Sequence, residues 1–332
     1  MKTEMTRREA LETLGATGLA VAFAGLPLFG APGVNDELRK RLPKFSAASL
    51  DLLRKQIEDP AYSGRLDPRD VTTLARNENL DVDNLMLALI PLAQSYSRAP
   101  ISSFYVGVVA RGESGALYTG ANIEIPNQCL GFAVHAEQFA LSNAYMHGEQ
   151  SVKALAVGGA PCGHCRQFIE EMAPDGEIAI LTPEHGSRKL SQILPEAFGP
   201  AALGMKHGAF PVRENSLLLA APKTDAMSLA ALDAMHKSFA PYSKSPAGVA
   251  LRTSRGRIYR GSYIENVAFN PSLSPLQVSL AAMIAAREEY GAIQAATLVE
   301  LHGAKISQRA VTETVLAAVA PGVQLEIVAA RL

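Results

Sequence analysis

The stretch from Ala99 to Glu124 recurs as Ala240 to Glu265, 141 residues further on, with eleven of the twenty-six aligned positions identical. The identities include Ala99-Pro100 with Ala240-Pro241, Gly107 with Gly248, Gly120 with Gly261, and Ile123-Glu124 with Ile264-Glu265. Solenoid repeats run at roughly 20 to 50 residues, so a period this long marks a duplicated domain. With 332 residues, 48% of them hydrophobic, the chain can bury a core large enough for such a pair.

Each copy reads as strand, turn, strand, helix, strand, helix. Residues 104 to 111 and 116 to 121 are apolar or alternating, and Gly112 and Gly115 between them predict a hairpin turn. From Val134 to His147 the apolar residues fall at helical spacing with no Gly or Pro, which places His135 and Glu137 in a helical first turn. Lys153 to Gly159 predicts a short buried strand, and Cys162 to Met172 a second helix entered through Pro161. The fold class is therefore α/β, a duplicated three-layer sandwich on a mixed sheet with a small helical segment at the N-terminus. The boundaries expected are a leader at 1–33, a helical segment at 34–81, a first repeat at 82–201, a linker at 202–222 and a second repeat at 223–332.

The first copy carries the chemistry. His135-Ala136-Glu137 is followed, twenty-four residues after Glu137, by Pro161-Cys162-Gly163-His164-Cys165. One imidazole, two thiolates and one spare carboxylate are the inventory for holding a zinc ion and moving protons on a water beside it. A helix N-terminus lowers thiol pKa, which favours both cysteines as ligands. Three protein ligands leave a fourth tetrahedral position open, as catalytic zinc sites do. Other readings stand beside this one: a structural zinc closed by Cys129, a redox C-x-x-C pair, or Glu137 as a fourth ligand. His164 reads as a turn residue pointing elsewhere.

Carried forward at the same offset, the second copy is blank. His135 falls opposite Leu276 and Glu137 opposite Val278, and a slip of one or two residues sets Cys162 against Lys305 and Cys165 against Gln308. One zinc per chain is expected. The second copy is then kept for packing, for dimerisation, for lending side chains to the first copy's pocket, or as scaffold alone.

Composition narrows the partners. A formal charge of −1, no Lys/Arg run and no tryptophan give no footprint for a nucleic acid, so a free small molecule is the better substrate. Only three cysteines exist and two are ligand candidates, which excludes a disulfide framework. No membrane partner is expected. The first thirty-three residues, with paired arginines before a Gly/Ala-rich apolar stretch, look like a twin-arginine export leader. That points to the periplasm, with the cytoplasm as the alternative.

Several motifs together resemble one family, the dimeric two-repeat class of bacterial cytidine deaminase. They are Ala121-Asn122-Ile123-Glu124, His135-Ala136-Glu137-Gln138, Pro161 through Gln167, Ala240 through Pro246, and Pro275-Leu276-Gln277. The resemblance covers about residue 34 to the end. It implies deamination of cytidine and deoxycytidine in pyrimidine salvage by a homodimer, with zinc on His135, Cys162 and Cys165 and with Glu137 as proton shuttle; the alternatives are a zinc-binding relative without turnover and a deaminase of another aminated nucleoside. It also implies that Asn122 and Glu124 bond the ribose and that Phe104 packs on the base, with Ile123 and Ala136 completing the substrate site. Ala268 and Phe269 would arrive from the partner subunit's loop, and Phe198 is a candidate lid, with core packing as the alternative.

Overall fold

The computed structural model describes residues 34–173 and 176–331; the leader-like stretch 1–33 lies outside them. Helices α1 (Val34–Arg41), α2 (Ala47–Glu58) and α3 (Pro68–Glu78) precede the first repeat, with the short strand β1 (Arg65–Leu66) between α2 and α3. The first repeat then runs α4 (Val82–Ala88), α5 (Ile90–Gln94), β2 (Gly107–Gly112), β3 (Leu117–Ala121), α6 (Ala136–Met146), β4 (Val152–Val157), α7 (Gly163–Met172), β5 (Ala179–Thr182) and β6 (Gly186–Lys189). After α8 (Leu190–Ile193) and β7 (Leu218–Leu219), the second repeat runs α9 (Ala226–His236), β8 (Ala247–Thr253), β9 (Ile258–Ser262), α10 (Pro275–Ala285), β10 (Ile293–Leu301), α11 (Arg309–Val319) and β11 (Leu325–Arg331).

The two sheets share one plan. The first has the order β1-β3-β2-β4-β5-β6 and the second β7-β11-β10-β8-β9. In each, an antiparallel hairpin continues into a third antiparallel strand, which pairs in parallel with the fourth across a helical crossover. Both sheets are mixed, as expected for a duplicated α/β sandwich. Among the described residues, no helix is long and apolar enough to cross a membrane.

The repeated glycines are where helices press on the hairpin. A Cβ on Gly107 would lie 2.5 Å from the Gln94 nitrogen in α5, and one on Gly248 would lie 2.3 Å from the Met235 nitrogen in α9. On the opposite face, a Cβ on Gly120 would lie 2.3 Å from the Ala140 nitrogen and 2.5 Å from the Ala136 oxygen, both in α6. Gly261 meets α10 in the same way, 2.1 Å from the Pro275 oxygen and 2.3 Å from the Ser279 nitrogen. In the hairpins Val108 pairs with Gly120, and Gly107 pairs with Ala121, so the two glycines of each copy face opposite sides of the sheet. That is the three-layer order, helix on sheet on helix, in both repeats.

The structure corrects the register between the copies. Ile123 bridges Val134 and Ile264 bridges Leu273, so the offset is 141 at the hairpin but 139 at the helix that follows. The second connection is two residues shorter. His135 therefore matches Ser274, not Leu276, and Glu137 matches Leu276, not Val278. At the second crossover helix, Ala173 and Ala320 close their helices with matching bonds to Ile169 and Leu316, an offset of 147. Cys165 then matches Thr312 instead of Gln308, and Cys162 falls at the Gln308–Arg309 start of α11 instead of at Lys305. Neither register gives the second copy a ligand. Helical periodicity marks where a helix lies, but a connection two residues shorter leaves no trace in it.

The repeats meet across α6 and α10. Gln138 Nε2 donates to the Pro271 carbonyl at 3.0 Å, and Gln277 Nε2 donates to the Phe132 carbonyl at 2.9 Å. At the offset of 139 these are the same bond made twice, which is the mark of a pseudo-twofold axis between the copies.

The glycine contacts yield a stability prediction. Gly120→Ala should destabilise the chain by about 1 to 3 kcal/mol, because backbone rather than a flexible side chain occupies the space. Gly291→Ala, whose Cβ meets nothing within 4 Å, should stay within about 0.5 kcal/mol of the parent. Urea unfolding of the two variants checks both.

Candidate active site

Two helix N-termini converge on one point. His135 is the N-cap of α6, with backbone φ −78° and ψ 153°, and its N–H donates to Gln138 Oε1 at 3.1 Å. Cys162 is the N-cap of α7, and its Sγ accepts the Cys165 N–H at 3.5 Å. Paired bonds between Ile123 and Val134, each 2.8 Å, tie the end of β3 to the residue before His135. The glycine contact between β3 and α6 fixes the other side of that turn. Local sequence therefore sets the imidazole beside the end of the hairpin.

The three donor atoms form a small triangle. Cys162 Sγ lies 3.5 Å from His135 Nδ1 and 3.5 Å from Cys165 Sγ, and Cys165 Sγ lies 3.3 Å from His135 Nδ1. Zinc bonds of ~2.3 Å to sulfur and ~2.0 Å to nitrogen give tetrahedral edges of roughly 3.5 to 3.8 Å. The triangle is slightly smaller than one face of that tetrahedron and opens onto it with small side-chain shifts. Among the described residues this is the one group of three or more His, Cys, Asp or Glu side chains so placed to hold a metal ion.

The electrostatics differ from the helix-dipole expectation for one of the two thiols. Hydrogen bonds from Cys165 and His135 draw Cys162 down to about 3, so it is a ready thiolate. Cys165 is pushed up, first by its bond to Cys162 and second by burial. The sulfurs lie 3.5 Å apart, and the bond between them moves the two thiols in opposite directions. His135 is raised by its bond to the same thiolate, against the effect of burial. Burial also lifts the Glu137 carboxyl above the usual range, only partly offset by a backbone bond, Cys165 and His135.

Glu137 is 4% exposed and is not part of the ligand triangle. His164 does not point elsewhere: its ring stacks on that of His135, with centroids 4.9 Å apart and planes 28° apart. Cys129 is exposed and also lies outside the ligand group.

The residues assigned to substrate cluster around the same turn. Ile123 and Ala136 are buried, while Phe104 is 45% exposed. Asn122 Oδ1 accepts from Ser97 Oγ and the Val106 N–H, and its Nδ2 donates to the Phe104 carbonyl at 2.8 Å. Glu124 Oε2 accepts the Ile101 and Ser102 N–H groups at 2.8 and 3.0 Å, and Oε1 accepts the Ser102 hydroxyl. Glu265 holds the matching turn of the blank copy through the Tyr242 and Ser243 N–H groups. The carboxylate thus has a structural duty in both copies.

Phe198 and the 265–269 loop gather on α7. Gln167 Nε2 donates to the Phe198 carbonyl at 2.8 Å, and the Gln167 carbonyl accepts from Asn266 Nδ2 at 3.0 Å. Val267 is buried, whereas Ala268 and Phe269 are exposed, and Phe269 takes φ +64°. Phe198 is half exposed, so it is not a core residue. Sequence reasoning passed over Gln167 and Asn266, which carry no periodic signal. Gln138 and Gln277 stand in the motifs read from the sequence, but the offset of 141 left them unmatched.

Fold and site together define a duplicated α/β protein with a single His/Cys/Cys metal group in its first copy. A family model described as the cytidine and deoxycytidylate deaminase zinc-binding region matches residues 81–181, and a second of the same description matches 190–313. A cytidine deaminase of Vibrio vulnificus is 45% identical over 250 residues, 75% of this chain and 84% of that protein. One of Vibrio parahaemolyticus is 40% identical over 295 residues, 88% of this chain and 99% of that protein. The crystal structure of a cytidine deaminase from Mycobacterium tuberculosis is 31% identical and covers 35% of this chain and 96% of its own, with a TM-score of 0.33. The chain belongs to the cytidine and deoxycytidylate deaminase family, and its cofactor is zinc.

The one donor group among the described residues sets the stoichiometry. Elemental analysis should find close to one zinc per chain, and Cys165→Ala should reduce it to a trace by removing one corner of the triangle.

Proposed function

We propose that the protein hydrolyses cytidine and deoxycytidine to uridine and deoxyuridine with release of ammonia, with zinc held by His135, Cys162 and Cys165. The observation that carries this reading is the His/Cys/Cys triangle with a buried carboxyl two residues from its histidine. The names of the Vibrio relatives support the choice of substrate. When bound, zinc supplies Lewis acidity, which lowers the pKa of a water molecule toward ~7 in favourable sites.

The chain's own residues do the rest. Glu137 sits in a dry first turn where its carboxyl holds a proton more readily than in water. A carboxyl tuned that way can accept a proton from the attacking water, deliver it to ring N3, and return one to the departing amine. Hydrolysis then balances: a C–O bond forms at C4, the C–N bond breaks, and ammonia leaves. His164 packs on the His135 ring and limits its rotation.

Phe104 offers an exposed ring for the base face, and Ile123 and Ala136 floor the pocket. Asn122 and Glu124 face the ribose. Each keeps hydrogen-bonding capacity beyond its internal contacts, since a carboxylate has about four acceptor positions and an amide two donor hydrogens. We place a second copy of the chain against this face. The exposed rings of Phe198 and Phe269 and the exposed Ala268 suit an interface that shuts water out of the site.

Glu137→Gln should keep zinc and lose at least ~10²-fold in turnover, measured as uridine and ammonia from cytidine. Near-normal turnover in zinc-loaded protein would move the base elsewhere, and zinc without turnover in the parent chain would make this a metal-binding protein of the family. Glu124→Gln retains the acceptor that holds the 101–102 turn and removes the charge offered to the sugar. It should lower kcat/KM for cytidine about 10- to 100-fold, as expected for a charged hydrogen bond, while trace activity on cytosine stays unchanged. Equal losses on both would assign Glu124 to the turn alone.

A further inference from the structure

The pseudo-twofold axis leaves several contacts between the repeats unrepeated, Tyr145 to the Lys237 carbonyl and Arg98 to Glu289 among them, and one such set is made at the cysteine helix. Glu171 lies on α7, the helix that begins at Cys162, and it is fully buried. Its Oε1 accepts the Tyr242 hydroxyl at 2.6 Å, and its Oε2 accepts the Val267 N–H at 2.7 Å. Both donors belong to the second repeat. One turn earlier on the same helix face, Gln167 accepts from Asn266.

The symmetry-related positions carry none of this. At the offset of 147, Glu171 matches Ala318, and at 141, Tyr242 matches Ile101. The acceptor and the hydroxyl donor are both missing on that side, whereas the Gln138 and Gln277 bonds are kept on both. A contact that served only to glue two copies together could be made twice, as the glutamine pair is. This one is made only at the helix that presents the two thiols.

We propose that Glu171 is a positioning residue through which the blank repeat holds the cysteine helix, and with it the base of the 265–269 loop, in register with His135. The proposal rests on the zinc site argued above. The second repeat supplies Tyr242 and the Val267 amide as a fixed two-point socket. The helix cannot rotate or slide without leaving a buried carboxylate unbonded. Cys162 and Cys165 thereby keep their separation from an imidazole carried by a different helix, and the loop tip stays aimed.

The test uses the full-length, zinc-loaded chain. Glu171→Gln keeps the volume and one acceptor, and Tyr242→Phe removes only the hydroxyl. Each should transfer zinc to a chromogenic chelator at least about tenfold faster than the parent. The double variant should be no faster than the faster single, because both act through one socket. Hydrogen exchange at the Val267 amide should rise in Glu171→Gln. Gln277→Ala, which breaks a repeat contact away from the cysteine helix, should leave zinc transfer at the parent rate. Parent-like zinc transfer in both socket variants, even with a lowered melting temperature, would reduce Glu171 to a fold contact and overturn the proposal. A similar acceleration in Gln277→Ala would also overturn it. A parent chain that takes up no zinc would sink the function argued above along with it.

Discussion

The site depends on how closely α6 lies against β3. Gly120 lets the backbone of the helix touch the backbone of the strand, and the Ile123–Val134 bridge closes the other end of the connection. Between them the first turn of α6 has no freedom to tilt. His135, Ala136 and Glu137 are therefore set relative to Asn122 and Glu124, although ten or more residues of chain separate the two groups. Close packing of this kind transmits strain instead of absorbing it, so a methyl group at Gly120 acts on the ligand helix directly. The same arrangement at Gly261 places Ser274 and Leu276 where ligand and carboxyl stand in the first copy.

Much of this was legible in the sequence because it follows from local chemistry. The repeat exposed the glycines, since a position that admits no Cβ tolerates no substitute in either copy. Helical periodicity placed His135 and Cys162 at helix starts, and the residue types named the metal. What escaped was set by tertiary geometry. The connection between Glu265 and Ser274 is two residues shorter than its counterpart, which the strand bridges and the reciprocal glutamine bonds show. His164 looked like a spare turn residue, because stacking on another ring depends on where two helices meet. The opposite shifts of Cys162 and Cys165 follow from the bond between their sulfurs at 3.5 Å, which a helix-dipole argument cannot anticipate. Glu171 sits near the end of an amphipathic helix, where an acidic residue normally faces water, and nothing in its neighbours announces burial.

The pseudo-twofold axis divides the contacts by purpose. Gln138 and Gln277 make reciprocal bonds that hold α6 and α10 together without regard to which copy carries a metal. Glu124 and Glu265 likewise hold matching turns. The thiols, the buried carboxyl of Glu137 and the Glu171 socket belong to the first copy's two ligand helices and have no counterpart in the second. The symmetric features thus carry the fold, and the chemistry lies among the departures from symmetry.

The blank copy shows what the active copy gives up. At the start of α10 the residues matching His-Ala-Glu are Ser274-Pro275-Leu276. Ser274 Oγ caps the Gln277 N–H at 3.3 Å, an interaction for which alanine substitutions at such caps lose about 1 kcal/mol. Pro275 is preorganised for the first helical position, and Leu276 is fully buried, adding apolar contact where the first copy buries a carboxyl. Each change is the more stable choice at its position. His135 instead turns its ring toward two sulfurs, and Glu137 is held where its charge is costly. Local stability and function therefore favour different residues at three consecutive positions of one fold. A chain with one copy of each can keep a less stable site on α6 while α10, bonded to it through the glutamine pair, supplies a well-capped helix for it to pack against.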